Sequence, residues 1–320
     1  MSIKGKKFTD DGWAIWIDGD DTSTVYLHDW MSPKGKSYID VSVKIVGIKA
    51  TSKLCLYVPF EISADEIEDI SLAFKNEEIA RATFSSGCII DYMKNEYTSE
   101  IAYNRKTVDI VHLSKLEPTL DKLSDGTLIT VNYGHIQSYI DNEEGYFSFR
   151  LPHKSLDRVF STYKSAGSFL TRLRDLITTP IQSEKYGYSI RVNEARNLPP
   201  EINKIGAFHR QKLKKAVVTV SVSEDYEIND ANCFQIRRLE EELYRDFVPQ
   251  GFSCDDVITY QWKESRKEDV LHGKFNFYLN IKREAVSAAS MVIYMILLVI
   301  MGGFGNFFAE FVFWLFSLIK

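Results

Sequence analysis

The chain has 320 residues, 45% of them hydrophobic and 26% charged, which excludes a disordered body and leaves room for one or two domains with a substantial core. The net charge of -5 is mild but unevenly spread: residues 1–149 carry 15 Lys/Arg against 24 Asp/Glu, residues 150–215 carry 14 against 5, and residues 216–320 carry 10 against 15. A basic middle between acidic flanks points to an anionic partner.

The N-terminus, MSIKGKKFTDDG, has basic residues without an apolar run behind them, so it does not read as a signal peptide. The first 150 residues read mainly as strand. WAIWI (13–17), TVYLHDW (24–30), YIDVSVKIVGI (38–48), KLCLYVPF (53–60), VDIVHL (108–113), TLITVNY (127–133) and YFSFRL (146–151) are rich in β-branched and aromatic residues and are separated by turn formers. One helix is expected from about Ser63, with Asp65 and Glu66 in its first turn and a loose apolar stripe through Ala80. Trp13, Trp16 and Trp30 fit the core of a β-sandwich or sheet. Asp18, Asp20 and Asp21 read as an acidic turn, since the remaining ligands of a calcium loop are missing.

From Lys154 to Thr178 the apolar period becomes helical, and Lys154, Arg158, Ser161, Ser165, Ser168 and Arg172 fall on the opposite stripe. That stripe suits either solvent or phosphates. YGYSIRV (186–192), AVVTVSV (216–222), DVITYQW (256–262) and KFNFYLNI (274–281) read as strands of a second, α+β unit, with a helix at about 230–247. The run KIGAFHRQKLKK (204–215) reads as a solvated loop, a phosphate clamp or a patch for anionic headgroups.

The end of the chain is hydrocarbon. From Ala285 to Ile319 the clearly polar residues are Ser287, Ser290, Asn306, Glu310 and Ser317. A span needs about 20 residues, so the run is too long for one upright crossing and too short for two. GGFGN (302–306) is expected to divide it into a transmembrane helix and a short membrane helix. Lys282 and Arg283 mark a cytoplasmic flank. Asn306, Glu310, Phe313 and Ser317 share one helical face, which either lines a pore between copies or lies among headgroups.

The expected architecture is therefore α+β with a C-terminal transmembrane unit: a β-rich domain over 1–152, a basic amphipathic helix and α+β domain over 153–283, and a membrane region over 284–320. Phosphate-binding loops, nucleophile elbows and zinc motifs are absent from the sequence. The six histidines are isolated, and Cys55, Cys88, Cys233 and Cys254 form no CxxC. We expect no enzyme activity, no cofactor and no metal, and reduced thiols in a cytoplasmic body.

This layout, its size and its basic middle resemble the membrane effectors of bacterial anti-phage systems that answer to a nucleotidyltransferase product. Among these the chain looks most like the Hailong-type effector, an ion-channel-like protein held closed by the DNA oligomers of its partner enzyme. The resemblance implies a homo-oligomer such as a tetramer in the inner membrane, depolarisation in antiviral defence, and a nucleotide or single-stranded oligonucleotide ligand. Lys154, Arg158, Arg172, Arg210, Lys212, Lys214 and Lys215 are then the candidate phosphate contacts, and Asn306, Glu310, Phe313 and Ser317 the pore face. The alternative is a tail-anchored scaffold that binds a protein partner and forms no pore.

Overall fold

The structure is a computed structural model that describes residues 12–19, 22–32, 35–84, 87–154, 161–163, 181–228, 233–264, 274–286 and 288–318. It is α+β and strand-rich, with two sheets and one long apolar helix at the C-terminal end. The first sheet holds β1 (Gly12–Ile17), β4 (Lys53–Val58), β8 (Thr119–Leu123), β9 (Gly126–Asn132), β11 (Ser161–Tyr163), β12 (Ile181–Val192), β14 (Tyr226–Ile228) and β17 (Phe275–Val286), in the order β14-β17-β12-β1-β4-β9-β8 with β11 beside β12. The second holds β2 (Thr22–Met31), β3 (Tyr38–Val46), β5 (Ile89–Asp91), β6 (Thr98–Tyr103), β7 (Lys106–Val111), β10 (Glu144–Pro152), β13 (Lys212–Ser223), β15 (Gln235–Arg238) and β16 (Val257–Glu264), in the order β15-β16-β13-β2-β3-β10-β7-β6-β5.

The two sheets pack face to face because alternate residues of each strand are apolar. Trp13, Ile15, Leu54, Leu56, Ile129 and Ile190 from one sheet meet Val25, Leu27, Val41, Phe147, Val218 and Val220 from the other in one core. Trp13, Trp16 and Trp30 are all buried. Every strand read from the sequence is present.

The helical readings need correction. The stretch after Ser63 is broken into two short 3₁₀ segments, Ala64–Glu66 and Ile70–Lys75, before α1 (Glu77–Thr83). The start signal is genuine, with Glu66 accepting from the Ser63 N–H at 2.9 Å. New caps at Asp69 and Asn76 then restart the chain twice. Among the described residues, two short α-helices follow α1 in the chain, α2 (Pro200–Ile205) and α3 (Glu241–Tyr244). In place of the expected helix at 230–247, the described residues form β15 followed by α3, because residues 235–238 pair with β16. The continuous helix over 154–178 is interrupted by β11, which pairs with Tyr186 and its neighbours on β12; the rest of that segment lies outside the described residues. The GGFGN break is also absent. One helix, α4 (Ala288–Leu318), runs through it for 31 residues. Glycine in a helix interior costs only about 1 kcal/mol relative to alanine, so three glycines among long runs of apolar residues do not end the helix.

Strands from either side of residue 152 share both sheets. β12 lies parallel to β1, and β13 lies parallel to β2. Only Gly12 and Trp13 of β1 pair with β12. Beyond them, side chains complete the ladder. The Asn193 amide accepts from the Ile15 N–H at 2.8 Å and donates to the Ile15 carbonyl at 3.0 Å. The Gln211 carbonyl accepts from the Ile17 N–H at 2.8 Å, while its amino group donates to Ser23 Oγ. Asn193 holds φ at 58°, in the left-handed region that Asn tolerates best after Gly. Asn193→Ala should cost about 2–4 kcal/mol, since it strands two buried backbone groups and strains the turn. Asn193→Gly should cost less than Asn193→Ala, because glycine accepts the left-handed φ although the two backbone groups stay stranded. Urea unfolding of both variants checks this.

Candidate functional site

Among the described residues, two clusters cover the outward face of the nine-stranded sheet. Phe74, Ile79, Ala80 and Phe84, from the α1 region, pack on Ile101, Val108, Ile110 and Tyr146. Leu239, Tyr244, Phe247 and Phe252 pack around Trp30 and Tyr38. A buried ion pair fastens the second cover. Arg150 donates to Asp40 from Nε at 2.6 Å and from Nη2 at 3.0 Å, Trp30 Nε1 donates to Asp40 at 2.8 Å, and Arg150 also donates to the Phe247 carbonyl at 2.7 Å.

Between these covers the sheet presents polar side chains. Ser42 and Ser148 share a hydrogen bond of 2.7 Å. His28 Nε2 lies 2.8 Å from Ser221 Oγ, which lies 2.7 Å from Thr259 Oγ1, and the His28 ring stacks on Trp30. Burial pushes the His28 pKa down to about 4, and Arg150 adds to the shift while the Asp40 charge opposes it.

At one end of this face stands a lysine cluster. Cross-strand registry aligns Lys215 on β13, Thr24 on β2 and Lys44 on β3, with Lys263 one strand further out on β16. Lys44 is neutralised. It lies 2.5 Å from Glu144 and 3.0 Å from the Tyr103 hydroxyl. Lys215 has no carboxylate partner among the described residues and rests over the Tyr26 ring at 5.6 Å. Burial, together with the charges of Lys263 and Lys44, lowers its pKa. A half-buried ammonium without a carboxylate of its own among the described residues, on the same face as Lys263, is a position where an anion is favoured.

The residues expected to bind a ligand divide into three groups. Lys215 belongs to this face. A register shift in β13 between Leu213 and Lys215 leaves Lys214 unpaired with β2, and Lys212, Lys214 and Arg210 are exposed beside it without ionic partners among the described residues. Lys154 lies apart and is already engaged, 2.6 Å from Glu66 and 3.0 Å from the Glu61 carbonyl. Arg158 and Arg172 lie outside the described residues. Sequence reading missed Lys44 and Lys263, because an isolated lysine in a strand gives no local signal; only strand registry brings them beside Lys215.

In α4, Met291–Val312 forms one helix long and apolar enough to cross a membrane, and none of it is buried against the body. Asn306 and Glu310 are exposed, and Ser317 donates back to the Trp314 carbonyl at 2.7 Å. The offsets of 4, 7 and 11 residues from Asn306 put Glu310, Phe313 and Ser317 within about 40° of one line. Gly302, one turn earlier, extends that line with a side that lets another backbone approach. One residue separates the end of β17 from the start of α4.

No protein-family model matches this chain, and no curated protein matches it in sequence.

His28 titration makes a prediction about acid stability. Its folded pKa is depressed, so the unfolded chain takes up the proton first as pH falls below about 6.5. Stability is therefore full above that pH and declines toward pH 4. From pH 7 to pH 5 this group should remove up to about 2 kcal/mol. In His28→Gln, which keeps a hydrogen-bonding amide, that part of the decline should vanish when denaturant midpoints are compared at the two pH values.

Proposed function

We propose that this chain is a membrane effector. Copies assemble so that their α4 helices surround an ion-conducting path, and the cytoplasmic β-rich body binds an anionic ligand that controls it. The observation that carries the reading is the unbroken helix, which keeps Gly302, Asn306 and Glu310 on one line of an otherwise apolar surface. Polar side chains at membrane depth are satisfied by facing one another or water rather than lipid. A ring of Glu310 carboxylates favours cations. Glu310 falls two residues before Val312, the end of the apolar span, so the ring stands at the mouth of the path away from the body.

The ligand side of the proposal rests on Lys215 with Lys263, Lys212, Lys214 and Arg210, and on the Tyr26 ring beneath Lys215. Phosphates suit the ammonium groups, and a nucleotide or single-stranded oligonucleotide supplies them. Lys154 contributes only after leaving Glu66. Antiviral depolarisation in the bacterial inner membrane is the role that this arrangement would serve.

The position of Glu310 also favours a second reading. At the edge of the span a carboxylate reaches headgroup water at little cost, and α4 then serves as an anchor for a scaffold. The two readings part in one experiment. Full-length protein in potassium-loaded vesicles should release the cation, and Glu310→Gln should lower the preference for cations over chloride. Absence of flux from folded, inserted protein establishes the anchor. For the ligand, a single-stranded deoxyoligonucleotide should bind with a log–log salt slope that falls by about 0.7 for each lysine contact removed. Lys215→Gln and Lys263→Gln should each show it, and binding unaffected by both would remove this face from the proposal.

A further inference from the structure

Strand registry sets a third cation on the face that carries Lys215 and Lys263. Arg237 on β15 is opposite Thr259 on β16, and Thr259 is opposite Ser221 on β13. Lys263 lies four residues from Thr259, and Lys215 lies six residues from Ser221. Both intervals are even, so the three cations share one side of the sheet. Each also stands over an aromatic ring: Lys215 over Tyr26 at 5.6 Å, Lys263 over Phe234 at 5.8 Å and Arg237 over Tyr244 at 5.5 Å. Among the described residues none of the three is paired with a carboxylate.

The line between them is polar. Gln235 and Gln261 are direct cross-strand neighbours, midway between Arg237 and Lys263. Gln235 is exposed, and Gln261 is half-buried with its amide reaching Thr219 Oγ1 at 3.4 Å. Phe234 stands at the edge of the sheet with 64% of its surface exposed. Cations interleaved with rings and amides complement a polyanion that carries planar, hydrogen-bonding groups, which is the chemistry of unpaired nucleic acid. Length separates a nucleotide from a strand. Arg237 and Lys215 are six residues apart along the strands and two strands apart across them, roughly 22 Å. At about 3.4 Å per stacked nucleotide that distance takes about six nucleotides, and fewer when the strand is extended. A mononucleotide reaches one end of it.

We propose that this line is a track for a single strand of nucleic acid, with phosphates on Lys215, Lys263 and Arg237 and a base on Phe234 beside the two glutamines. The track rests on the ligand half of the proposed function and narrows it, from any nucleotide to a strand of several.

Fluorescence anisotropy with oligothymidylates and folded full-length protein in detergent tests it. Affinity should rise at least ten-fold between two and six nucleotides and then level off. Arg237→Gln should weaken binding of a ten-nucleotide strand about three- to ten-fold and lower its log–log salt slope by about 0.7. Phe234→Ala should weaken it about ten-fold, as expected for one stacked base, with the salt slope unchanged, and Phe234→Trp should restore it. Inorganic polyphosphate and polyglutamate carry charge without bases; both should bind more weakly and ignore Phe234→Ala. Equal affinity for two and ten nucleotides, indifference to both Arg237→Gln and Phe234→Ala, or polyphosphate or polyglutamate binding as tightly as the oligonucleotide at equal charge would overturn the track. If oligonucleotide binding then still falls in Lys215→Gln and Lys263→Gln, the ligand reading survives that loss. No binding of any oligonucleotide at low salt removes both.

Discussion

The body depends on how the backbone of β1 is satisfied. β12 accompanies it for only two residues, and β1 lies between buried faces where an unpaired N–H or C=O costs about 1–3 kcal/mol. Asn193 and Gln211 supply the missing partners from the loop that joins β12 to β13. That loop crosses from one sheet to the other, as does the shorter connection from β1 to β2. β1 pairs in parallel with β12, and β2 with β13, so the early pair and the late pair of strands match sheet for sheet. Two amide side chains thereby join an early arch of the chain to a late one. The core between the sheets is assembled from residues nearly two hundred positions apart.

Two further polar contacts divide the work of holding the layers. Inside, Asp29 accepts from the Tyr188 hydroxyl and contacts His153 Nδ1 at 2.9 Å, linking β2 to β12 and to the end of β10. Burial and the Asp29 charge raise the Tyr188 pKa well above its ordinary value, so the phenol remains a donor. Outside, the Asp40–Arg150 pair ties the cover around Phe247 to the sheet. Removing either member of that pair leaves the other as an uncompensated buried charge. Between the covers the sheet surface is polar, and neither of these two described covers includes the lysine cluster.

The strands were legible because alternation and β-branched residues act locally. Trp13, Ile15 and Ile17 declare one face of β1 before any partner is known. The helices were less legible because tertiary pairing overrode period: residues 235–238 have a helical neighbour pattern, yet β16 offers them a ladder. The Gly-rich interruption in α4 misled for a different reason. Each glycine costs a helix interior only about 1 kcal/mol, and the strongly apolar residues on both sides keep α4 continuous through all three. For the site, a basic run such as 210–215 is visible in sequence, whereas Lys44 and Lys263 become neighbours of Lys215 only through registry across β16, β13, β2 and β3.

The passage from β17 to α4 has a mechanical consequence. β17 is paired with β12 up to Val286, opposite Ile181, and α4 begins at Ala288. With one residue between these two elements, the start of α4 stays within a few ångströms of the end of β17, because a single residue spans at most about 3.3–3.6 Å. Wherever the edge of the first sheet is carried, the root of the apolar helix is carried with it.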